Sequence, residues 1–341
     1  MATQKRINLA LQGGGAHGAF TWGVLDRLLQ EDSLKLEGIC GTSSGAMNAT
    51  VMAYGLQIGG REEARKRLRA FWQQMSERGY FAFLQPSWLD VLKGEPGNLD
   101  FSPMYNLGRM VSLFASPYQF NPSNYNPLRK LLLDFVDFSV LQKKEGAQIY
   151  VCATNVKSGK PRVFTQNELS VEAVLASSCV PRMYKSIEIE GEFYWDGGFM
   201  GNPPLYPLIH NSQQKKPDIL IVHINPINIP TVPSNPEAIR DRESELSFNS
   251  SLMIEVRNIE FLNDLVKKGN DCDGQLKQVH IHSINPERDI WALNNSSKMN
   301  ITWEFLTWLH NWGRKYASQW VEQHLQTVGK ASSCNVRELF F

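Results

Sequence analysis

Three short stretches of this chain combine residue types that do chemistry with glycines that set backbone geometry. The first, Gly41-Thr42-Ser43-Ser44-Gly45, spells Gly-x-Ser-x-Gly with apolar residues before it and small, helix-tolerant residues after it. In a nucleophile elbow a strand ends, the serine takes a strained turn and a helix starts at once, so Gly41 and Gly45 would let strand and helix pass closely. Ser43 would present its hydroxyl. Ser44 would offer a backbone N–H at a helix N-terminus, which suits an oxygen that becomes negative during acyl transfer. An ordinary glycine-rich turn satisfies the same five positions, so the rest of the chain has to decide.

The second stretch is Gly13-Gly14-Gly15-Ala16-His17-Gly18, three consecutive glycines that follow the strand candidate Ile7 to Leu11 after Gln12. Such a loop brings main-chain N–H groups close to an anion, as a phosphate cradle or an oxyanion hole. It is not a Walker A loop, because no Gly-Lys-Ser/Thr follows. Gly13, Gly15 and Gly18 fit Gly-x-Gly-x-x-Gly, but no acidic residue closes a second strand at the spacing a dinucleotide site needs; Glu37 precedes its strand. The third stretch is Asp196-Gly197-Gly198, which puts a carboxylate at the end of an apolar, aromatic strand on a permissive turn. Alone it reads as an Asp-Gly hairpin turn; with the other two stretches upstream it reads as part of a site.

The elements that must position these groups follow from periodicity. Ile7 to Leu11 and Leu36 to Cys40 read as strands, and a helix from about Ala19 to Gln30 carries Phe20, Val24, Leu25, Leu28 and Leu29 on one broad face. A right-handed crossover makes the two strands parallel neighbours and puts both glycine turns at one carboxyl edge of the sheet. Beyond the elbow, a helix to about Gln57 and a second one from Arg61 to about Glu77 are expected. The basic face of the second (Arg61, Arg65, Lys66, Arg67, Arg69) reads as a solvated surface, with contact to anionic lipid as the alternative. Residues 79–127 mix Tyr80, Phe81, Phe83, Trp88, Phe101, Tyr105, Phe114, Tyr118, Phe120 and Tyr125 with Pro86, Pro96, Pro103, Pro117 and Pro122, so few continuous elements are expected there. An insertion of this kind fits a lid or acyl-chain wall, a packed excursion or a dimer contact. Further strands are read at Gln148 to Ala153, Arg162 to Thr165, Ile187 to Trp195, Asp218 to Asn225 and Leu276 to Ser283, with helices capped at Asn126-Pro127 and Asn235-Pro236. A last helix, Ile301 to about Leu325, has an aromatic stripe expected in the core.

Composition excludes several classes. The 341 residues carry 35 Lys plus Arg against 34 Asp plus Glu, so a net charge of +1 gives no field for recruiting nucleic acid. Five widely spaced cysteines, at 40, 152, 179, 272 and 334, read as reduced, mostly buried thiols, with neither a disulfide frame nor a zinc site. No cofactor or metal is expected. No run approaches the roughly 18 apolar residues of a membrane span, and no signal peptide is recognised at the N-terminus, so the expected location is cytoplasmic or peripheral to a membrane.

Taken together, the three motifs resemble those of the patatin-like phospholipase family. Ser177-Ser178-Cys179-Val180-Pro181 and Asn202-Pro203-Pro204 also fit, and the likeness covers about residues 5–225. The resemblance implies a three-layer α/β/α sandwich with a mainly parallel central sheet, and a serine lipid acyl hydrolase working with a Ser-Asp dyad. It implies Ser43 as nucleophile, Asp196 as base, and Gly13, Gly14, Gly15 and Ala16, with Ser44, as oxyanion-hole residues; Gly18, Gly41, Gly45, Gly197 and Gly198 support them. The family often has Arg or Lys where this chain has His17, a residue only partly charged near neutral pH and a candidate substrate contact. The organisation expected is one domain over 1–325, with core motifs in 5–225, the insertion 79–127 and a helical extension 235–325, followed by a short tail, 326–341, that is either loose or docked through Leu339-Phe340-Phe341. The partner would be a lipid or acyl ester at a membrane or micelle surface, with a homo-oligomer open.

Three alternatives remain on sequence grounds. One is a Ser-Asp-His esterase of the α/β-hydrolase kind, in which His210, His223, His280 or His282 completes a triad after Asp196. Another is an acyltransferase using the same dyad. The last is a catalytically silent lipid- or partner-binding module.

Overall fold

The computed structural model describes residues 4–78, 84–92, 97–143, 146–270, 275–286 and 293–341. Tyr80, Phe81, Phe83, Pro96 and Cys272 fall outside these residues.

The strands are β1 (Lys5–Leu11), β2 (Leu34–Thr42), β3 (Gln148–Asn155), β4 (Pro161–Thr165), β5 (Ile187–Ile189), β6 (Glu192–Asp196), β7 (Asp218–Val222) and β8 (His280–Ile284). They form one sheet in the order β5-β6-β3-β2-β1-β7-β8, with β4 also on β3. The run β3-β2-β1-β7-β8 is parallel, and β4, β5 and β6 are antiparallel additions. The parallel strands are buried on both faces, which is why they read as continuous apolar runs.

Side chains alternate between two cores with the period of two that a strand imposes. Leu9, Leu11, Ile39, Ile149 and Val151 point into one core. That layer is built by α1 (Gly18–Leu28), α2 (Ser44–Arg78), the 12-residue helix α3 (Pro103–Phe114) being set apart from it, α4 (Val171–Ser177) and a long C-terminal helix. Ala10, Cys40, Tyr150 and Cys152 point into the other, which is covered by α5 (Tyr206–His210), α6 (Pro236–Lys267) and, from the tail, α8 (Val336–Phe340). The C-terminal helix of the first layer is α7 (Trp303–His324). Its aromatic stripe lies with that core: Phe305 and Trp320 are buried, and Phe305 stacks on Trp308 at 5.9 Å. The three-layer α/β/α class expected from the sequence is thus what the chain forms.

The helices expected on either side of residue 60 are both present: α2 is two helical stretches that meet at a kink at Gly60, where φ is 74° and ψ is −160°. A glycine adopts that conformation without steric cost, so the chain bends and resumes rather than forming a loop. The segment expected to hold few continuous elements contains α3, started by Pro103 at its first turn, and none of its residues is buried. In the tail, Phe340 is fully buried and its carbonyl accepts from Arg257 Nε at 2.9 Å.

Pairing around β3 decides where the functional groups lie. Tyr150–Thr154 pair with β4 along one edge of β3, while Gln148–Cys152 pair with Gly38–Thr42 of β2 along the other. Ala153 faces both Arg162 of β4 and Asp196 of β6. β6 therefore occupies the same edge as β2, starting where β2 stops at Thr42. The strand that ends at the serine is continued in space by the strand that ends at the aspartate.

Candidate functional site

β2 hands over to α2 at Ser43, which has φ 55°. For a residue with a Cβ this left-handed conformation costs on the order of 1–3 kcal/mol and persists only where the surroundings hold it. Here they do. The Ser43 N–H donates to Ser177 Oγ at 2.9 Å, and its carbonyl accepts from the Met47 N–H at 3.1 Å as the first bond of α2. Thr42 Oγ1 donates to the Gly201 carbonyl at 2.7 Å, fixing the end of β2 to the segment that follows β6.

The glycine loop lies against this elbow. A Cβ placed on Gly13 would come within 2.6 Å of Ser43 Cβ, and one on Gly45 would run into the Leu11 carbonyl. No larger residue fits at either position while the loop and the elbow share this edge. The loop is held by side chains: the Gly13 N–H donates to Asn202 Oδ1 at 2.7 Å, its carbonyl accepts from Asn225 Nδ2 at 2.8 Å, and the Gly14 N–H donates to Ser44 Oγ at 3.2 Å. Gln12, one residue earlier, accepts from the Ile224 and Asn225 N–H groups and donates to Asn249 of α6 at 3.1 Å. The Gly13 N–H is therefore committed to Asn202, which corrects the expectation that it points at substrate; Gly14, Gly15, Ala16 and Ser44 are the remaining residues of that set.

Asp196 closes β6. Its N–H donates to the Cys179 carbonyl at 2.9 Å, its carbonyl accepts from Thr154 Oγ1 at 2.9 Å, and its Oδ1 accepts from the Gly198 N–H at 2.8 Å. The side chain is buried, with 1 % of its surface exposed, beside Ser43 at 8 %. Burial pushes the Asp196 carboxyl up to about 6, against the pull of hydrogen bonding from the Gly198 N–H and the Ser43 side chain. Gly197 packs on the Cys152 carbonyl and Gly198 on the Phe248 ring of α6.

His17 does not face this crevice. It is buried, its Nε2 lies 2.8 Å from Ser297 Oγ, and its ring meets Phe305 edge-on. Burial first, and then the positive charge of Lys298, lower it to about 3. The expectation of a partly charged residue touching substrate is corrected to a neutral histidine that ties the glycine loop to the turn before α7. The histidines considered for a triad are elsewhere. His282 Nε2 and His280 Nδ1 lie 2.9 Å and 3.3 Å from Asp218 Oδ1, at the opposite end of the sheet from Ser43. His223 is buried against Phe340, and burial lowers it to about 3. His210 ends α5.

Several residues that hold the site had no role assigned from sequence: Gln12, Asn225, Asn249, Ser297 and Lys298. Ser177 and Asn202 lie in stretches that enter the family resemblance only as flanks of its motifs. The signal available for Asn202 was its place before Pro203, six residues past Asp196. Cys40, Cys152 and Cys179 are buried, and burial raises each thiol. Among the described residues no group of His, Cys, Asp and Glu is arranged to hold a metal ion.

A mainly parallel three-layer sheet, carrying a glycine loop and a positive-φ serine side by side at one carboxyl edge, defines the class. The family model for patatin-like phospholipases matches residues 9–209, and the chain belongs to that family, whose members are lipid acyl hydrolases. Among curated proteins it is similar to the uncharacterised protein YjjU of Escherichia coli (strain K12), 28 % identical over 202 residues, which is 59 % of this chain and 47 % of that one. The chain thus spans about half the length of this relative. Among solved structures it is similar to VipD from Legionella pneumophila, with 14 % identity, 89 % of this chain and 67 % of that one covered, and a TM-score of 0.37. It is also similar to ExoU in its heterodimeric complex with SpcU from the type III secretion system of Pseudomonas aeruginosa, with 16 % identity, coverage of 95 % and 53 %, and a TM-score of 0.39.

Proposed function

We propose that the chain is a lipid acyl hydrolase, of phospholipase A, lysophospholipase or esterase type, that cleaves acyl esters with Ser43 as nucleophile and Asp196 as base. One observation carries the reading: the buried Asp196 carboxyl and the strained Ser43 meet at adjoining strand ends, and the carboxyl is raised to about 6. A carboxylate near 6 is still mostly ionised at pH 7, yet it is a stronger base than an aspartate in water.

In this mechanism Ser43 Oγ attacks the ester carbonyl while Asp196 takes the hydroxyl proton. The carbonyl oxygen becomes negative and is received by N–H groups from Gly14, Gly15, Ala16 and Ser44. Collapse of the tetrahedral species breaks the C–O bond, and the proton passes from Asp196 to the leaving alcohol. Water then attacks the acyl-enzyme with Asp196 again accepting a proton, and the fatty acid leaves as Ser43 recovers its own. The Gly14 N–H now bonded to Ser44 Oγ at 3.2 Å turns to the substrate oxygen in this step.

In the same proposal, residues 1–325 act as one unit in which the insertion 79–127 forms the acyl-chain wall or lid. Support for this role is the apolar face of α3, where Met110, Leu113 and Phe114 are exposed. The substrate in this proposal is a lipid or acyl ester met at a membrane or micelle surface; among the described residues no helix is long and apolar enough to cross a membrane.

A lipid panel with wild type, Ser43→Ala and Asp196→Asn, reading released fatty acid, together with fluorophosphonate labelling, tests the proposal. Release by wild type and its loss in both variants is the expected result. Full activity in either variant, or failure of wild type to label at Ser43, would overturn it.

A further inference from the structure

The glycine loop is tied from behind by a chain of hydrogen bonds that begins at a lysine far along the sequence. Lys298, in the turn Ser297–Met299 ahead of α7, donates from Nζ to Asn225 Oδ1 at 3.1 Å. Asn225 Nδ2 donates in turn to the Gly13 carbonyl at 2.8 Å, which also meets Asn202 Nδ2 at 3.5 Å. These partners fix the orientation of the Asn225 amide, since an ammonium requires its oxygen and a carbonyl requires its NH2. The Gly13 carbonyl and the Gly14 N–H are two ends of one peptide unit. A charged donor chain acting on the oxygen polarises the unit and makes the N–H a better donor.

The rest of the Lys298 neighbourhood keeps that charge directed at the loop. A Cβ on Gly15 would collide with the Lys298 carbonyl, so the two backbones touch, and the adjacent Ser297 Oγ holds His17. The groups facing the ammonium are Asp241 and Glu245 of α6, Asn225 after β7, and His17 in the loop. Asp241 accepts from Asn295 Nδ2 at 2.8 Å and Glu245 pairs with Arg242 at 3.0 Å, so both acids are engaged by other donors. Burial holds the Lys298 amine below its ordinary value, with the two acids opposing. Lys298 and Asn225 both lie outside residues 9–209 matched by the family model.

We propose that Lys298 is a positioning residue of the acyl-transfer site, strengthening the Gly14 N–H as oxyanion donor through Asn225 and the Gly13–Gly14 peptide. The inference rests on the hydrolase reading above. Loss of a donor that touches the oxyanion directly costs about 10²–10³ in kcat, so loss of a charge acting one peptide away should cost about 10-fold.

The test uses the full chain with Lys298→Met, Lys298→Gln and Lys298→Arg, a neutral soluble ester and a phospholipid, and the amide resonances of Gly14 and Gly18. The relay predicts that both neutral variants lose about 10-fold in kcat on both substrates with KM changed by less than about 2-fold, and that Arg restores most of the rate. It also predicts an upfield shift of the Gly14 amide proton, with Gly18 unmoved. A loss confined to the phospholipid and to KM would make Lys298 a head-group contact and overturn the relay. Equal loss in all three variants with a lowered melting temperature would make it a brace, and an unmoved Gly14 resonance would also overturn it. If wild type lacks Ser43-dependent activity while the Gly14 shift responds as predicted, the hydrolase reading fails and the electronic link stands.

Discussion

Two aspartates of this protein are equally hidden from water and are driven in opposite directions. Asp196 sits at the end of β6, and burial lifts it to about 6 because only the Gly198 N–H and the Ser43 side chain oppose the desolvation. Asp218 sits at the start of β7, at the other end of the sheet. Burial pushes it up as well, but His280, His282 and the Gly329 N–H outweigh that, and it lies below the ordinary carboxylate range. Ser333 Oγ backs His282 Nδ1 at 2.9 Å, so the second cluster also binds the tail to the sheet. Burial alone therefore does not make a carboxylate reactive. A poised base has few partners, and a structural anchor has many.

The sharpest way to break this contrast is to remove both carboxylates. Asp196→Asn, like Ser43→Ala, should lower kcat by roughly 10³-fold or more in a fatty-acid release assay. Asp218→Asn should leave kcat within a few-fold while lowering the unfolding free energy in urea by about 3 kcal/mol, since it strands buried partners. If Asp218→Asn abolishes turnover in a folded protein, the division between base and anchor is wrong.

The pH dependence of stability should carry opposite signs at the two sites. The folded-state value of Asp196 is raised, so its favourable contribution is complete below about 3.9 and is lost as pH rises through about 6, a change of about 3 kcal/mol. Asp218 is lowered, so its contribution is present above about 3.9 and is lost as pH falls through its folded value. Denaturation curves between pH 3 and 8 should then show Asp196→Asn gaining on wild type as pH rises, and Asp218→Asn losing on it. The activity profile should rise with a midpoint near 6 that is absent from the stability of Asp196→Asn.

Smaller effects test the frame around the base. Ser177→Ala removes the acceptor of the Ser43 N–H at 2.9 Å and should cost about 1–2 kcal/mol in stability, with a several-fold fall in kcat. Smallest of all, His17→Gln should leave the midpoint of the activity profile in place, because His17 is neutral down to about 3. A shifted midpoint would restore His17 to the crevice.

Much of this arrangement is legible in the sequence because it is local. Strand, glycine loop, helix, strand and elbow follow one another over residues 5–45, and the right-handed crossover leaves one way to assemble them. The three-layer fold follows from the same periodicities. What was not legible depends on distant pairings. Asn202, Asn225 and Lys298 are polar residues in unremarkable contexts, and each acquires its role only when the sheet brings it to Gly13. His17 reads as partly charged in a glycine loop, and becomes neutral because burial and the nearby charge of Lys298 lower it.

The way β6 continues the edge left by β2 makes the placement of the proposed base a matter of counting. Asp196 lies opposite Ala153, and neighbouring residues of a strand point to opposite faces. One codon gained or lost in the turn between β5 and β6 would, if the pairing slid by one place, turn the carboxylate to the other side of the sheet. Composition, core and fold would scarcely change. A lineage of such proteins would thus be able to lose its chemistry in one small step while still folding, with all three motifs intact to the eye, so an inventory of motifs in a genome measures ancestry more securely than it measures activity.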